Sequence, residues 1–326
     1  MRPLRALLAL LALLAVVVFL LNTTLLAPAM EGRPLLLAHR GLAQTFPSEG
    51  IESDTCTATR IRPPEHAFLE NTIASMQAAF AAGADIVEFD VHPTTDGHFI
   101  VFHDWTVDCR TNGKGITREK TLAELKALDV GYGYTADGGA TFPFRGLGVG
   151  LMPTLDEVLA AFPDKRFLIH IKSRDAAEGR LLAARLSRLP QDARRRLTVY
   201  GHDAPLTMLH GILPDMRTAA RGAIKQCLVR YIALGWSGFV PDDCRNTLLL
   251  VPSNYAWVLW GWPNRFLARM REAGTEVYLL GPYDGGDFTT GIDTALDVGR
   301  LPEGYSGGIW TNRIHAIAPL VAAQRN

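Results

Sequence analysis

The 326-residue chain lacks several things that would point elsewhere. It carries no excess of charge: 33 Lys and Arg balance 33 Asp and Glu. A protein built to bind nucleic acid shows a basic surplus, so no nucleic-acid partner is expected. Lysine is scarce, with six against 27 arginines, a bias we ascribe to genome composition. There is no internal repeat. None of the four cysteines, Cys56, Cys109, Cys227 and Cys244, stands in a C-x-x-C pair, so a structural zinc site is not expected. No G-x-G-x-x-G follows the first candidate strand, which argues against a dinucleotide fold. With 48% hydrophobic residues, the chain is too apolar to be disordered and long enough for a large core.

One segment is set apart from that core. Arg2 and Arg5 precede an uninterrupted apolar run, Ala6 to Leu21, and Ala27-Pro28-Ala29 has a small-x-small pattern. Residues 1–29 therefore read as a signal peptide or an N-terminal membrane anchor. In both readings the leading arginines stay cytoplasmic. Residues 30–326 are then exported, to the periplasm or to the outer face of a bacterial inner membrane. Four cysteines in an oxidising compartment imply two disulfides. Of the three possible pairings we prefer Cys56–Cys109 with Cys227–Cys244, since each ties down a loop-rich stretch.

From Met30 onward, short apolar runs alternate with helical patterns. Candidate strands are Leu35–Ala38, Ile86–Val91, Phe99–Phe102, Phe167–Ile171, Leu197–Tyr200, Arg217–Ala220, Val277–Leu280 and Gly308–Trp310. Candidate helices cover 72–82, 122–128, 155–161, 176–189, 205–213, 223–234, 263–273 and 292–298. Eight such units imply an α/β fold, a (β/α)8 TIM barrel with loop insertions, with a doubly wound sheet as the alternative. The insertions are 42–69, 130–152 and 239–262. Long loops in a compact domain are usually functional or disordered, and these are expected to wall a cleft.

The strand ends carry the chemistry. Alternation from Leu35 and Leu37 turns His39 inward, with Arg40 and Gly41 following. Glu88 and Asp90 are two apart and share a face. Two acids pointing into a barrel are costly unless paired or metal-bound. The third candidate strand ends in His103-Asp104, and His170 and Lys172 share a face of the fourth. Barrel interiors are normally apolar, so four consecutive polar strand ends are hard to explain as packing. Glu70 and Asn71 open the first amphipathic helix, either as ordinary capping or facing the mouth.

The ordered set His39-Arg40-Gly41, Glu70-Asn71-Thr72, Glu88-x-Asp90, Asp96-Gly97 and His103-Asp104 resembles the glycerophosphodiester phosphodiesterase family. Lys172 and the helix start at Pro153-Thr154-Leu155 fit its pattern. Gly308 to Arg313 looks like its last-strand motif, with Asn312 where Asp is usual. The resemblance implies a TIM barrel that hydrolyses glycerophosphodiesters to sn-glycerol 3-phosphate and an alcohol with a divalent cation. By the same resemblance, His39 and His103 are acid and base. Arg40 and Lys172 contact the phosphate, with Glu70 and Asn71 beside the substrate, and Glu88 and Asp90 ligate the metal.

His170 stands where the family supplies a third carboxylate. An imidazole suits Ca²⁺ or Mg²⁺ less than an oxygen does, and admits Mn²⁺, Co²⁺ or Zn²⁺. The 31-residue gap from His39 to Glu70 is also long for the family, and it carries Cys56. Two other readings stand beside the main one. A lysophospholipase D or sphingomyelinase D-like enzyme would act on a membrane-borne lysophospholipid. A non-catalytic envelope binding protein would keep the barrel alone. Residue order leaves open the alcohol group, the metal, the fate of the leader, the oligomeric state and the nucleophile.

Overall fold

The computed structural model describes residues 2–27, 32–52, 54–285 and 290–324. The Pro28-Ala29 part of the cleavage-like triplet lies outside them. Nine strands form: β1 Leu35–His39, β2 Ile86–Pro93, β3 Phe99–Val101, β4 Arg166–Ile171, β5 Leu197–Gly201, β6 Arg217–Ala220, β7 Leu248–Pro252, β8 Glu276–Leu280 and β9 Gly308–Thr311. The helices are α1 Arg2–Asn22, α2 Ile73–Ala81, α3 Leu122–Lys126, α4 Leu155–Ala161, α5 Ala176–Leu186, α6 Gln191–Arg194, α7 Asp203–Ile212, α8 Arg221–Leu234, α9 Asn264–Glu272, α10 Ala295–Gly299 and α11 Ile314–Ala323.

Eight strands pair in parallel in the order β6-β5-β4-β2-β1-β9-β8-β7. This is a TIM barrel, nearly closed. Between β6 and β7 the Thr247 hydroxyl donates to the Thr218 carbonyl at 2.7 Å in place of a ladder. Two corrections to the strand list follow. The third candidate, Phe99–Phe102, is not a barrel stave. It returns antiparallel on β2, pairing Val91 with Val101, because the five residues between them are too few for a crossover helix. The true seventh stave, β7, lies inside the stretch read as the 239–262 insertion. Helix 292–298 is also displaced to α10, where Thr294 forms the capping box with Asp297, and α11 was not anticipated.

Side-chain alternation builds two layers. Leu37, Leu168, Tyr278 and Trp310 fill the barrel. Leu36, Val87, Phe89 and Ile169 pack outward against the helices. A satellite core of Val130, Tyr134, Phe144 and Met152 with Ile61 and Leu69 sits beside the barrel. The 130–152 insertion thus builds that core rather than the cleft wall expected of it. Both expected disulfides form: Cys56–Cys109 fastens the satellite core and Cys227–Cys244 ties α8 to the approach to β7.

Candidate active site

The carboxyl ends of β1, β2 and β4 place the polar groups in one cavity of about 640 Å³, lined among others by His39, Arg40, Asp90, His103, His170 and Lys172. Phe46, Ile51 and Thr57 of the 42–69 insertion wall one side, as expected. A second cavity of about 490 Å³ shares His39 and Arg40 and is bordered by Glu70, Asp293 and Asn312.

The β1 end is held in an unusual backbone. Arg40 has φ +58° and Asn71 φ +59°, a left-handed conformation that costs a non-glycine residue about 1–3 kcal/mol. The Asn71 amide donates to the Arg40 carbonyl at 3.0 Å, so the two strained residues fix each other. Gly41 follows at φ +80°, where a Cβ would lie 2.6 Å from Ser75 Oγ. Arg40 is thereby aimed inward. Its Nη1 donates to Glu70 Oε1 at 3.0 Å, its Nε lies 3.5 Å from Asp90 Oδ2, and its amide donates to Glu88 Oε2 at 3.2 Å.

The two candidate catalytic histidines are backed differently. His39 Nδ1 lies 2.6 Å from Asn312 Oδ1. Asn312 Nδ2 donates to Asp293 Oδ2 at 2.7 Å, so the amide oxygen must face the imidazole and Nδ1 carries the proton. His39 Nε2 is left as an acceptor, 3.2 Å from Arg40 Nε. Burial, then Arg40, pushes His39 down to about 3. His103 Nδ1 instead meets a carboxylate, Asp104 Oδ1, at 2.7 Å. Arg110 grips the other Asp104 oxygen and also donates to Glu70 Oε2 and Thr57 Oγ1. Lys172 Nζ lies 2.7 Å from His103 Nε2. Burial, Arg40 and Lys172 lower His103 to about 4.

Glu88, Asp90 and His170 are buried, with one donor atom from each within 4.8 Å of the others. Asn71 Nδ2 donates to Asp90 Oδ2 at 3.3 Å, while Asn71 Oδ1 is buried with no partner among the described residues. Burial and the Asp90 charge push Glu88 up to about 8. For Asp90, burial is outweighed by His103, Lys172, the His170 bond and Arg40, which hold it well below the carboxylate range. Two carboxylates forced together in a dry place, plus an imidazole nitrogen, are a donor set that fits a divalent cation. His170 Nδ1 lies 2.8 Å from Asp90 Oδ1, and its ring stacks on Tyr200 at 4.3 Å. Tyr200 OH donates to Glu88 Oε1 at 2.6 Å.

All the site residues expected from the sequence thus converge, in different depths. Glu70 and Asn71 hold Arg40 and Asp90 from behind rather than lining the large cavity. Sequence reading missed Asp293, Arg110, Tyr200 and the buried His92, whose Nε2 lies 3.4 Å from the His103 carbonyl.

Residues 39–196 match the profile of the glycerophosphoryl diester phosphodiesterase family. Over that segment, the chain is similar to this family. It is similar to a glycerophosphodiester phosphodiesterase of Caldanaerobacter subterraneus, 36% identical over 43% of this chain and 45% of that protein. A second such relative, from Bacillus subtilis, is 39% identical over 34% of this chain and 38% of its own length. The matches therefore span less than half of these relatives. The fold resembles the glycerophosphoryl diester phosphodiesterase domain of a Mycobacterium tuberculosis protein, with TM-score 0.62 and 19% identity over 90% and 99% of the two chains. It also resembles an Oleispira antarctica phosphodiesterase solved with the product sn-glycerol-3-phosphate, with TM-score 0.56 and 20% identity over 89% and 97%. The solved structures share the TIM barrel described above, and the matched segment holds His39 at the end of β1 together with β2 and β4, which carry the site.

Proposed function

We propose that the chain hydrolyses glycerophosphodiesters to sn-glycerol 3-phosphate and an alcohol. The observation that carries this reading is the convergence of His39 and His103 with Arg40 and Lys172 on one cavity beside a buried acid pair. The family relatives, and the product held by the Oleispira phosphodiesterase, support the same substrate class.

Glu88, Asp90 and His170 would hold a divalent cation, Ca²⁺ or Mg²⁺ or a more nitrogen-tolerant ion such as Mn²⁺, Co²⁺ or Zn²⁺. A bound cation supplies charge stabilisation at the phosphoryl oxygens. Arg40 offers a planar fork to the same oxygens, already oriented by Glu70. Lys172 adds a point charge beside it. His39, neutral and backed by a neutral amide, would take a proton from the nucleophile, either water or a glycerol hydroxyl, at Nε2 once Arg40 Nε turns from it to the phosphoryl oxygens. His103 is the better acid. Asp104 stabilises its imidazolium, and Lys172 can share a proton with Nε2, which then passes to the leaving oxygen.

A lysophospholipid diester is a second reading. It rests on the apolar wall that Ile224, Leu250, Leu280 and Tyr283 give the cavity.

The test is phosphorus NMR of glycerophosphocholine incubated with the protein and each divalent ion in turn. Appearance of glycerol 3-phosphate is expected. Release of choline phosphate in its place, or no turnover of this diester and of micellar lysophosphatidylcholine alike, contradicts the reading. The latter outcome returns weight to an envelope binding protein.

A further inference from the structure

Helix α1 does not merely precede the barrel. Its last turn is built into it. Asn22 Nδ2 donates to the Trp236 carbonyl at 2.7 Å. Arg269 of α9 donates to Asn22 Oδ1 at 3.0 Å and to the Leu21 carbonyl at 2.9 Å. Arg265 donates to the Leu26 carbonyl at 3.0 Å. Arg269 is only 8% exposed, and among the described residues no carboxylate pairs with it. Its remaining acceptors are Tyr231 OH and the Gly235 carbonyl. A nearly buried guanidinium thus depends on the carbonyl end of α1, where the helix dipole favours a cation. Cleavage after the leader would remove two of the four acceptors of Arg269 together with the part of its cover that α1 supplies.

The surface around this junction is aromatic. Ile232, Trp236, Phe239, Trp257 and Trp260 are all exposed, Trp257 by 76%. Two of them are tied to the junction: Trp260 Nε1 donates to the Ile232 carbonyl at 2.8 Å, and Tyr231 OH, which accepts from Arg269, donates to the Trp260 carbonyl at 2.9 Å. No residue of α1 is buried. Its 21 residues span about 31 Å at 1.5 Å per residue, which matches a bilayer's hydrocarbon core. Arg2 and Arg5 lie at its far end. The exit point of such a helix is where the headgroup layer must lie, and Trp is the residue enriched there.

We propose that α1 is retained as a membrane span and that this Trp-rich face rests in the interfacial layer of the bilayer it leaves. The barrel is then held against the lipid at two places. The aromatic surface continues toward the cavity, since the Tyr255 and Tyr283 rings lie 6.4 Å apart and Tyr283 borders it.

The full chain, extracted in detergent, would be reconstituted into phosphatidylcholine–phosphatidylglycerol vesicles with tail-brominated lipid. Because α1 contains no Trp, quenching reports only on the barrel. Strong quenching is expected relative to unbrominated vesicles, with most of it lost in the Trp236→Phe, Trp257→Phe, Trp260→Phe triple variant at an unchanged melting midpoint. If that variant does not fold, the brominated and unbrominated wild-type vesicles still decide. Unquenched emission from the inserted protein overturns the proposal, as does quenching that the folded triple variant retains. A face covered by a second copy, seen as a dimer by light scattering with unquenched Trp, also overturns it. The intact mass of the membrane-extracted protein should include residues 2–27. A mass beginning near residue 30 contradicts retention of α1.

Discussion

His103 Nδ1 lies 2.7 Å from Asp104 Oδ1, and this carboxylate is the feature that separates the two candidate catalytic histidines. His39 has only the amide oxygen of Asn312 in the same place. Burial would raise Asp104, but Arg110 and the His103 bond hold it below the carboxylate range. The pair is thus ready to support a charged imidazole, while the His39–Asn312 pair is not. Asp104→Asn is expected to lower kcat on glycerophosphocholine by about 100-fold and also to lower the melting temperature, because buried Arg110 loses one of its two carboxylate partners. Retained kcat would show that His103 needs no anionic partner.

Replacing His170 by Glu is expected to change the metal preference. Imidazole nitrogen favours the later transition ions, and a third carboxylate favours Ca²⁺ and Mg²⁺. Calorimetric titration of the metal-stripped protein should show His170→Glu binding Ca²⁺ about tenfold tighter than the parent. Unchanged affinities would place His170 outside the ligand set.

Much of this site was legible in the residue order. Glu88 and Asp90 fall on one face of a strand because side chains alternate with period two. The same rule turned His39 and His170 inward. The errors have physical causes too. The apolar run of β3 resembles a stave, although the short connection through Asp96-Gly97 makes it a hairpin on β2. β7 was hidden because Leu248–Pro252 sits between stretches rich in Pro, Asn and Trp. The pairs Asn312–Asp293, Arg110–Glu70 and Tyr200–Glu88 join residues 19, 40 and 112 positions apart. No local pattern encodes such contacts.

Gly41→Ala should be damaging out of proportion to its size. The added Cβ would meet Ser75 Oγ at 2.6 Å and backbone at 3.0 Å, at φ +80°. A loss of roughly 2–4 kcal/mol in urea unfolding is expected. A loss under 0.5 kcal/mol would mean that the turn relaxes freely.

The disulfides should differ in their consequences. By loop entropy, the 53-residue separation of Cys56–Cys109 is worth about 4 kcal/mol and the 17-residue separation of Cys227–Cys244 about 3 kcal/mol. Only the first is close to the site, since Thr57, next to Cys56, accepts from Arg110. Replacing Cys56 and Cys109 by Ser should therefore lower kcat as well as stability. The Cys227, Cys244 pair should lower stability alone. Equal effects on kcat would refute the distinction.

Glu276 gives a pH dependence away from the site. Burial raises it, but Arg166 and Arg217 outweigh burial and the net shift is downward. A carboxyl whose folded pKa is depressed contributes its full stability above the unfolded value of about 4.3. That contribution fades as pH falls through the folded pKa. Glu276→Gln should cost roughly 1–3 kcal/mol at pH 7. The difference from the parent should shrink steadily between pH 5 and pH 3. A difference independent of pH would mean that packing, not charge, is lost.

The central claim is that His39 and His103 work with an acid-held cation on a glycerophosphodiester. The most direct measurement takes the full chain in detergent, strips it of metal, and follows glycerol 3-phosphate release from glycerophosphocholine as each divalent ion is restored. His39→Ala and His103→Ala are run in parallel. The account predicts turnover that requires an added ion and falls by about 100-fold or more in each variant. Turnover that is indifferent to metal, or that survives in either histidine variant, would contradict it.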